Sequence, residues 1–428
     1  MSNFKRVCLL SVAAGGLVTT NAVAQGENYY SRDKYESVLD RHQDDFDPEP
    51  IRLGAFLVNS HASASATYID NVQATNSNKI SDTIARIGIE VAARTNWNVH
   101  EVGLRVSAYR NEYLDIGDES TNDLRARLRG RLDVNRNVSL GAAVFAEDLA
   151  EPRTDLANSV GLDRPVEHTR VGAAFDANYY SDRFRWENLV ELSEEDFEDG
   201  RQTGTGTPID QDYRDNSVTF ARSRLSYAVS PNLAVFTQGT IRELSYDQNQ
   251  VLTGNVRSRD SSGYTVSAGV DFELTSLVRG DIAIGYFSED KEDDFFEDVD
   301  GLSVDGRMEW FPTRLTTVGF RAGRRVVDIG VFDSPSALQT SFGASIDHEL
   351  RRNIILSASA NIVSYDYQEI DRTDDVNDLS LTAAYKMNKR VHFETFARHI
   401  NRDSSGTGVF GDPSYDVNLV GVGLKFYP

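Results

Sequence analysis

Cysteine is all but missing from this chain: one, Cys8, in 428 residues. It falls inside an N-terminal export signal, so the exported chain is expected to hold no disulfide and no thiolate metal site. Positive charge is scarce too, with 44 lysines and arginines against 66 acids and a net charge of −22. That balance excludes a nucleic-acid partner, which would need a basic footprint to meet phosphates. Long apolar runs are absent: beyond residue 24 no stretch approaches the ~18 residues that a spanning helix needs. The seven histidines are too scattered for metal-ligand spacing, and no acidic loop carries a calcium-loop pattern with its central glycine. No metal, cofactor or catalytic residue is expected, and no enzymatic activity. Aromatics, at 10%, are too plentiful for a disordered chain. What remains is a soluble β-rich protein, or a β-barrel whose apolar residues are hidden by alternation.

The first 24 residues read as a signal peptide. Lys5 and Arg6 form the charged region, Val7 to Thr20 the apolar stretch, and Ala22-Val23-Ala24 the cleavage site. Losing Lys5 and Arg6 takes the net charge from −22 to −24. Residues 25–50 are expected to form a separate, flexible periplasmic segment. Eight acids against three bases, ending at Pro48 and Pro50, cannot bury a core of their own. It reads either as a solvated tail or as a docking peptide.

From Ile51 to the end the chain alternates apolar and polar residues with period two, in runs separated by turn chemistry. Val102, Leu104, Val106 and Ala108 alternate with Glu101, Arg105 and Tyr109. Ile354, Leu356, Ala358, Ala360 and Ile362 repeat the pattern. Eight short turns take turns with nine longer loops, one of the latter at 329–337, so eighteen strands are expected. That rhythm predicts an all-β fold over 51–428: a transmembrane, antiparallel, up-and-down barrel in a bacterial outer membrane. The short turns would face the periplasm and the longer, acidic loops the exterior. Trp97, Trp186, Trp310, Tyr227, Phe311 and Phe426 all lie beside short turns, where a lipid-interface girdle would sit. Tyr68, Tyr113, Phe145, Tyr246, Tyr286, Tyr365 and Tyr415 lie near the longer loops and would form the outer girdle.

Between Asn122 and Asn135, Arg125, Arg127, Arg129 and Arg131 alternate with Leu124, Ala126, Leu128 and Gly130. An arginine on the lipid face costs ~2–4 kcal/mol at the midplane, so these four must face the lumen. Arg222, Arg224, Arg321 and Arg325 look inward by the same parity. Two readings stay open. Acids on adjacent strands, such as Glu101 and Glu147, neutralise the arginines and fill the barrel, or a cationic strip lines a path for an anionic or hydroxyl-rich solute. The final strand places Val420, Val422, Leu424 and Phe426 on one face. It is similar to the closing strand read by barrel-assembly machinery, apart from the trailing Pro428.

Several short motifs carry a family likeness in their order: Asp70-Asn71-Val72, Ser81-Asp82, Trp97 with His100, Ser230-Pro231, and Arg259-Asp260-Ser261 with Gly263-Tyr264. Gly285-Tyr286, Trp310-Phe311-Pro312-Thr313, His348-Glu349-Leu350 with Asn353, and Tyr385 continue the series. The chain resembles the putative β-barrel porin 2 family over nearly all of 51–428. That resemblance implies an outer-membrane channel, and such proteins often serve exopolysaccharide synthesis and export. The leading expectation is therefore an exit conduit for an exopolysaccharide. Its partners would be outer-membrane lipid and lipopolysaccharide, the assembly machinery and periplasmic polysaccharide-export proteins. A passive diffusion porin for small hydrophilic solutes is the second reading, and a closed structural or adhesive barrel the third.

Overall fold

The computed structural model describes residues 36–157, 161–252, 254–275, 277–331, 334–408 and 413–428. The signal peptide, and residues 25–35 of the acidic segment, lie outside the described residues. Eighteen long strands form one antiparallel wall. The first six are β1 (Phe56–Ile69), β2 (Asp82–Thr95), β3 (Glu101–Tyr113), β4 (Thr121–Asp133), β5 (Val138–Ala150) and β6 (Glu167–Tyr180). Then come β7 (Phe184–Phe197), β8 (Asn216–Ser230), β9 (Leu233–Tyr246), β10 (Ser261–Leu274), β11 (Val278–Lys291) and β12 (Val299–Thr313). The wall ends with β13 (Thr316–Val331), β14 (Ser334–Arg351), β15 (Ile354–Tyr367), β16 (Thr373–Lys386), β17 (Val391–Ser405) and β18 (Tyr415–Phe426). Each strand pairs with its chain neighbours, and β18 closes on β1 from Ala62↔Phe426 to Ile69↔Leu419. A closed ring leaves no unpaired edge, the one way a sheet can cross hydrocarbon.

The reason these residues make this wall is visible strand by strand. On β4, Leu124, Leu128 and Leu132 stand out from the wall, each about half exposed, while the intervening arginines point inward. The outward neighbours of Leu128 across the ladder are Leu104 and Val144. In a bilayer these exposed side chains are covered by lipid tails, and the barrel needs no core of the soluble kind.

Two local differences from the expected layout have simple causes. The run beginning at Ile51 is split: Ile51–Leu53 folds back on Phe56–Val58 as a short hairpin. Gly54, at φ +61°, turns the chain there, in a conformation that L side chains resist. The long loop expected at 329–337 is instead strand up to Val331 and again from Ser334. A bulge between Asp328 and Val331 bends this hairpin so that Ser334, Ser336 and Ala337 are fully enclosed.

Candidate functional site

The lumen is densely charged with residues of both signs. Its wall is a lattice of cross-strand ion pairs, set by register. Glu147 reaches Arg125 at 4.0 Å and Arg170 at 3.7 Å, and Arg170 continues to Glu191 at 3.1 Å. On the opposite wall Arg224 lies between Asp271 (3.9 Å) and Asp281 (3.8 Å), and Arg307 meets Asp281 at 2.9 Å. Arg398 on β17 is held by both carboxylate oxygens of Asp378.

All eight arginines singled out from the sequence face inward, but they do not act as one strip. Arg129 bonds Asp176 at 3.3 Å and Arg131 meets Asp133 at 3.2 Å. Arg325 donates to the Gln339 side chain at 2.9 Å. Arg222 and Arg224 are half-buried in the wall, and Arg321 is exposed to the lumen. Arg127 differs from its three companions on β4: its guanidinium lies 5.6 Å over the Phe145 ring. Among the described residues no carboxylate pairs with it.

The outer half of the lumen is narrowed by a loop that the sequence did not single out. Residues 151–157, following β5, turn inward across the barrel instead of rising from its rim. The Tyr415 hydroxyl donates to the Thr154 carbonyl at 3.0 Å, and Arg402 donates to the Asp155 carbonyl. Leu156 packs against the apolar cluster of Val327, Ile329, Tyr365 and Tyr367 on the far wall. Two buried ion pairs pin the loop. Arg153 grips Glu119 with both nitrogens at 2.7 and 2.9 Å, and Arg214, in the loop before β8, grips Glu151. Arg259 lies over Tyr246 and donates to the Ile329 carbonyl at 3.0 Å. Beneath this cap is a cavity of about 1210 Å³ whose lining includes Arg125, Arg222, Arg224, Arg321 and Arg325.

Scans against known families and folds agree with this architecture. Residues 44–427 match the family model described as Putative beta-barrel porin 2. The chain belongs to that family. A search of curated proteins finds no match. The fold of this porin-2 barrel is similar to that of the copper transporter OprC, with TM-score 0.51, 11% identity, and 89% and 81% of the two chains covered. It also matches a BenF-like porin from Pseudomonas fluorescens Pf-5, with TM-score 0.46, 12% identity, and 87% and 99% covered. OccK2 (OpdF) of Pseudomonas aeruginosa gives TM-score 0.45 at 10% identity, with 86% and 98% covered. Membership of that family makes the protein an outer-membrane β-barrel of porin type.

In this porin-2 barrel the outer aromatics correct the expected girdle. Tyr68 and Tyr286 face outward. Phe145, Tyr246, Tyr365 and Tyr415 are each less than 9% exposed and so do not stand at the lipid interface; Tyr113 and Tyr246 line the cavity instead. Their parity matches the inward arginines, which was the signal available in the sequence. At the inner rim Trp97, Trp186, Trp310 and Phe426 are exposed, and Tyr227 packs on Phe184 at 5.0 Å between ring centres. Phe311 does not belong with them. It is 3% exposed, turned inward beneath Arg279, because Trp310 already takes the outward position and successive side chains point to opposite faces.

The acidic segment departs most from the solvated tail that composition suggested. Residues 36–50 are seated in the inner mouth, against β13 to β17. Val38, 1% exposed, donates its backbone N–H to the Thr317 hydroxyl at 3.0 Å. Arg41 and Gln43 both bond the Glu349 carboxylate, at 2.7 and 3.1 Å. Asp47 pairs with Lys386 at 2.6 Å, and Glu49 with Lys389. Burial pushes the Asp47 carboxyl up, but the Lys386 ammonium outweighs it and holds the group below its usual range.

The cap carries a titratable group in a position to modulate it. Burial and the neighbouring Glu151 push the Asp155 carboxyl up to about 7, against the pull of Arg214 and Arg402. Tyr365 and Tyr415 are the other titratable groups that feel its charge. A carboxyl raised in the seated loop takes up a proton on seating, so the seat is firmest in acid and weakens as pH rises from about 4 towards 7. Single-channel conductance in planar bilayers should be higher at pH 8 than at pH 5. Asp155→Asn should hold the low value at both; a wild-type conductance flat across this range would show that Asp155 does not control the loop.

Proposed function

We propose that this barrel is a diffusion channel for small hydrophilic solutes. The observation that carries the reading is the inward loop 151–157, tied to β17 and β18 by Arg402 and Tyr415 and to the loop before β8 by Arg214. An 18-stranded barrel is wide enough for an aqueous channel, and a loop across it admits single small molecules while obstructing a continuous polymer. The seated tail at the inner mouth weighs in the same direction. The exopolysaccharide conduit, which the family likeness brought forward, has no such support from the lumen. Lipopolysaccharide around the exposed rim, and assembly machinery acting on the outward face of β18, are the partners this reading implies. It implies no catalytic step.

Liposome swelling with the purified, refolded chain provides the test. Pentoses and amino acids should enter at rates well above empty vesicles, and uptake should fall off steeply by the size of a tri- or tetrasaccharide. Passage of a long neutral glycan, or exclusion of every small solute, would overturn the reading.

A further inference from the structure

The cross-strand register lines up Ala92, Arg105, Arg127, Phe145 and Gly172 in one inward-facing row from β2 to β6. Arg105 and Arg127 stand directly opposite each other, and both are exposed to the lumen. Their acidic neighbours are committed elsewhere. Glu147 serves Arg125 and Arg170, and Asp176 serves Arg129. Among the described residues neither Arg105 nor Arg127 meets a carboxylate. The neighbouring lumen-facing rows supply Ser107 and Arg125 towards the outer rim, and Gly103 and Arg129 towards the inner rim, so no acid of the same two strands enters the patch.

Like charges placed directly opposite on an antiparallel pair repel, and the pair is destabilising unless something neutralises it. Most lumen arginines of the wall, such as Arg125, Arg129, Arg170, Arg224 and Arg398, have a carboxylate within reach; Arg105 and Arg127 face each other without one. Arg127 is also held in place. Gly172 leaves the space above it to the Phe145 ring, whose Cζ would lie 2.4 Å from a Cβ at that position. The ring in turn sits beneath the guanidinium of Arg127 and, at 5.0 Å, that of Arg170. A pre-positioned guanidinium loses less freedom on binding and presents its donors in a fixed fork matched to an oxyanion.

We propose that Arg105 and Arg127 form an anion-binding subsite in the lumen, taking the oxyanion of a small solute, a carboxylate or a phosphate, between two guanidinium groups. This rests on the channel reading for its physiological use, while the binding itself does not. A solute anion supplies the charge that the wall omits, and its two or three oxygens match paired N–H donors.

The full-length barrel in detergent micelles should bind acetate or inorganic phosphate by titration calorimetry, and comparing these two identifies the preferred oxyanion. Arg105→Gln with Arg127→Gln should weaken that binding by about tenfold or more, and Arg105→Lys with Arg127→Lys should retain part of it, because lysine keeps charge without the fork. In planar bilayers under a salt gradient, the wild-type reversal potential should report anion preference, and the glutamine pair should shift it towards cations. Heat-modifiable gel migration confirms that each variant has assembled; should the glutamine pair fail to assemble, the lysine pair and the wild-type titration decide the matter. No measurable oxyanion binding by the wild type, or binding unchanged in the variants, would overturn the subsite. A wild type that binds the oxyanion yet passes no current would overturn the channel reading and leave the subsite standing.

Discussion

Removing residues 36–50 should roughly double single-channel conductance, because that segment occupies part of an otherwise aqueous mouth. The tail is held by few contacts of unequal strength. Asp47 with Lys386 and Glu49 with Lys389 lie at least partly in water, where such pairs contribute at most ~1 kcal/mol each and weaken with salt. Arg41 and Gln43 matter more, since both meet Glu349, a carboxylate that is 6% exposed. Arg41→Ala therefore leaves a buried acid short of its cation and should loosen the tail more than Lys389→Ala. The measurement is conductance at low and at high salt for the deletion and for both point variants. In the wild type, rising salt should release the tail and raise conductance beyond the ordinary gain from more ions. Unchanged conductance in an assembled deletion would place the tail beside the conducting path, and failure to assemble would make it part of the barrel's structure.

Arg214→Ala should free the inward loop. The Arg214 guanidinium is 5% exposed, holds both oxygens of Glu151 and lies 4.0 Å over the Phe197 ring. Breaking a buried pair from one side costs about 3–5 kcal/mol, because the other charge stays behind without its partner. The barrel wall has its own continuous ladder, so the cost falls on the seating of residues 151–157. The variant should assemble normally, admit larger sugars in liposome swelling, and expose the loop to proteases added outside. The same substitution made with Glu151→Gln should recover most of the wild-type size limit, since no unpaired acid then remains. A size limit unmoved by Arg214→Ala would show that Arg153 with Glu119, 2.7 Å apart and almost wholly buried, is enough to hold the loop.

Much of this molecule is decided by its sequence alone. The penalty for a charge in lipid applies one residue at a time, and strand side chains alternate without exception. Leu124, Leu128 and Leu132 had therefore to face out, and Arg125 through Arg131 in, whatever their neighbours did. The strand count, the closed wall and the outward tryptophans follow from the same local rule. It misled only where two aromatics are adjacent, as at Trp310 and Phe311, or where an aromatic near a long loop has inward parity, as at Phe145 and Tyr415.

Tertiary structure decided which of the inward charges remain available. Arg129 meets Asp176 from two strands away, and Arg125 meets Glu147 on the next strand. Register, which no single strand specifies, left Arg105 facing Arg127. The inward loop depends on Glu119, Arg214, Arg402 and Tyr415, residues spread along nearly the whole chain that only closure of the ring brings together. The tail follows the same logic: its charges look solvated in sequence because their partners, Glu349, Lys386 and Lys389, lie some 300 residues further on.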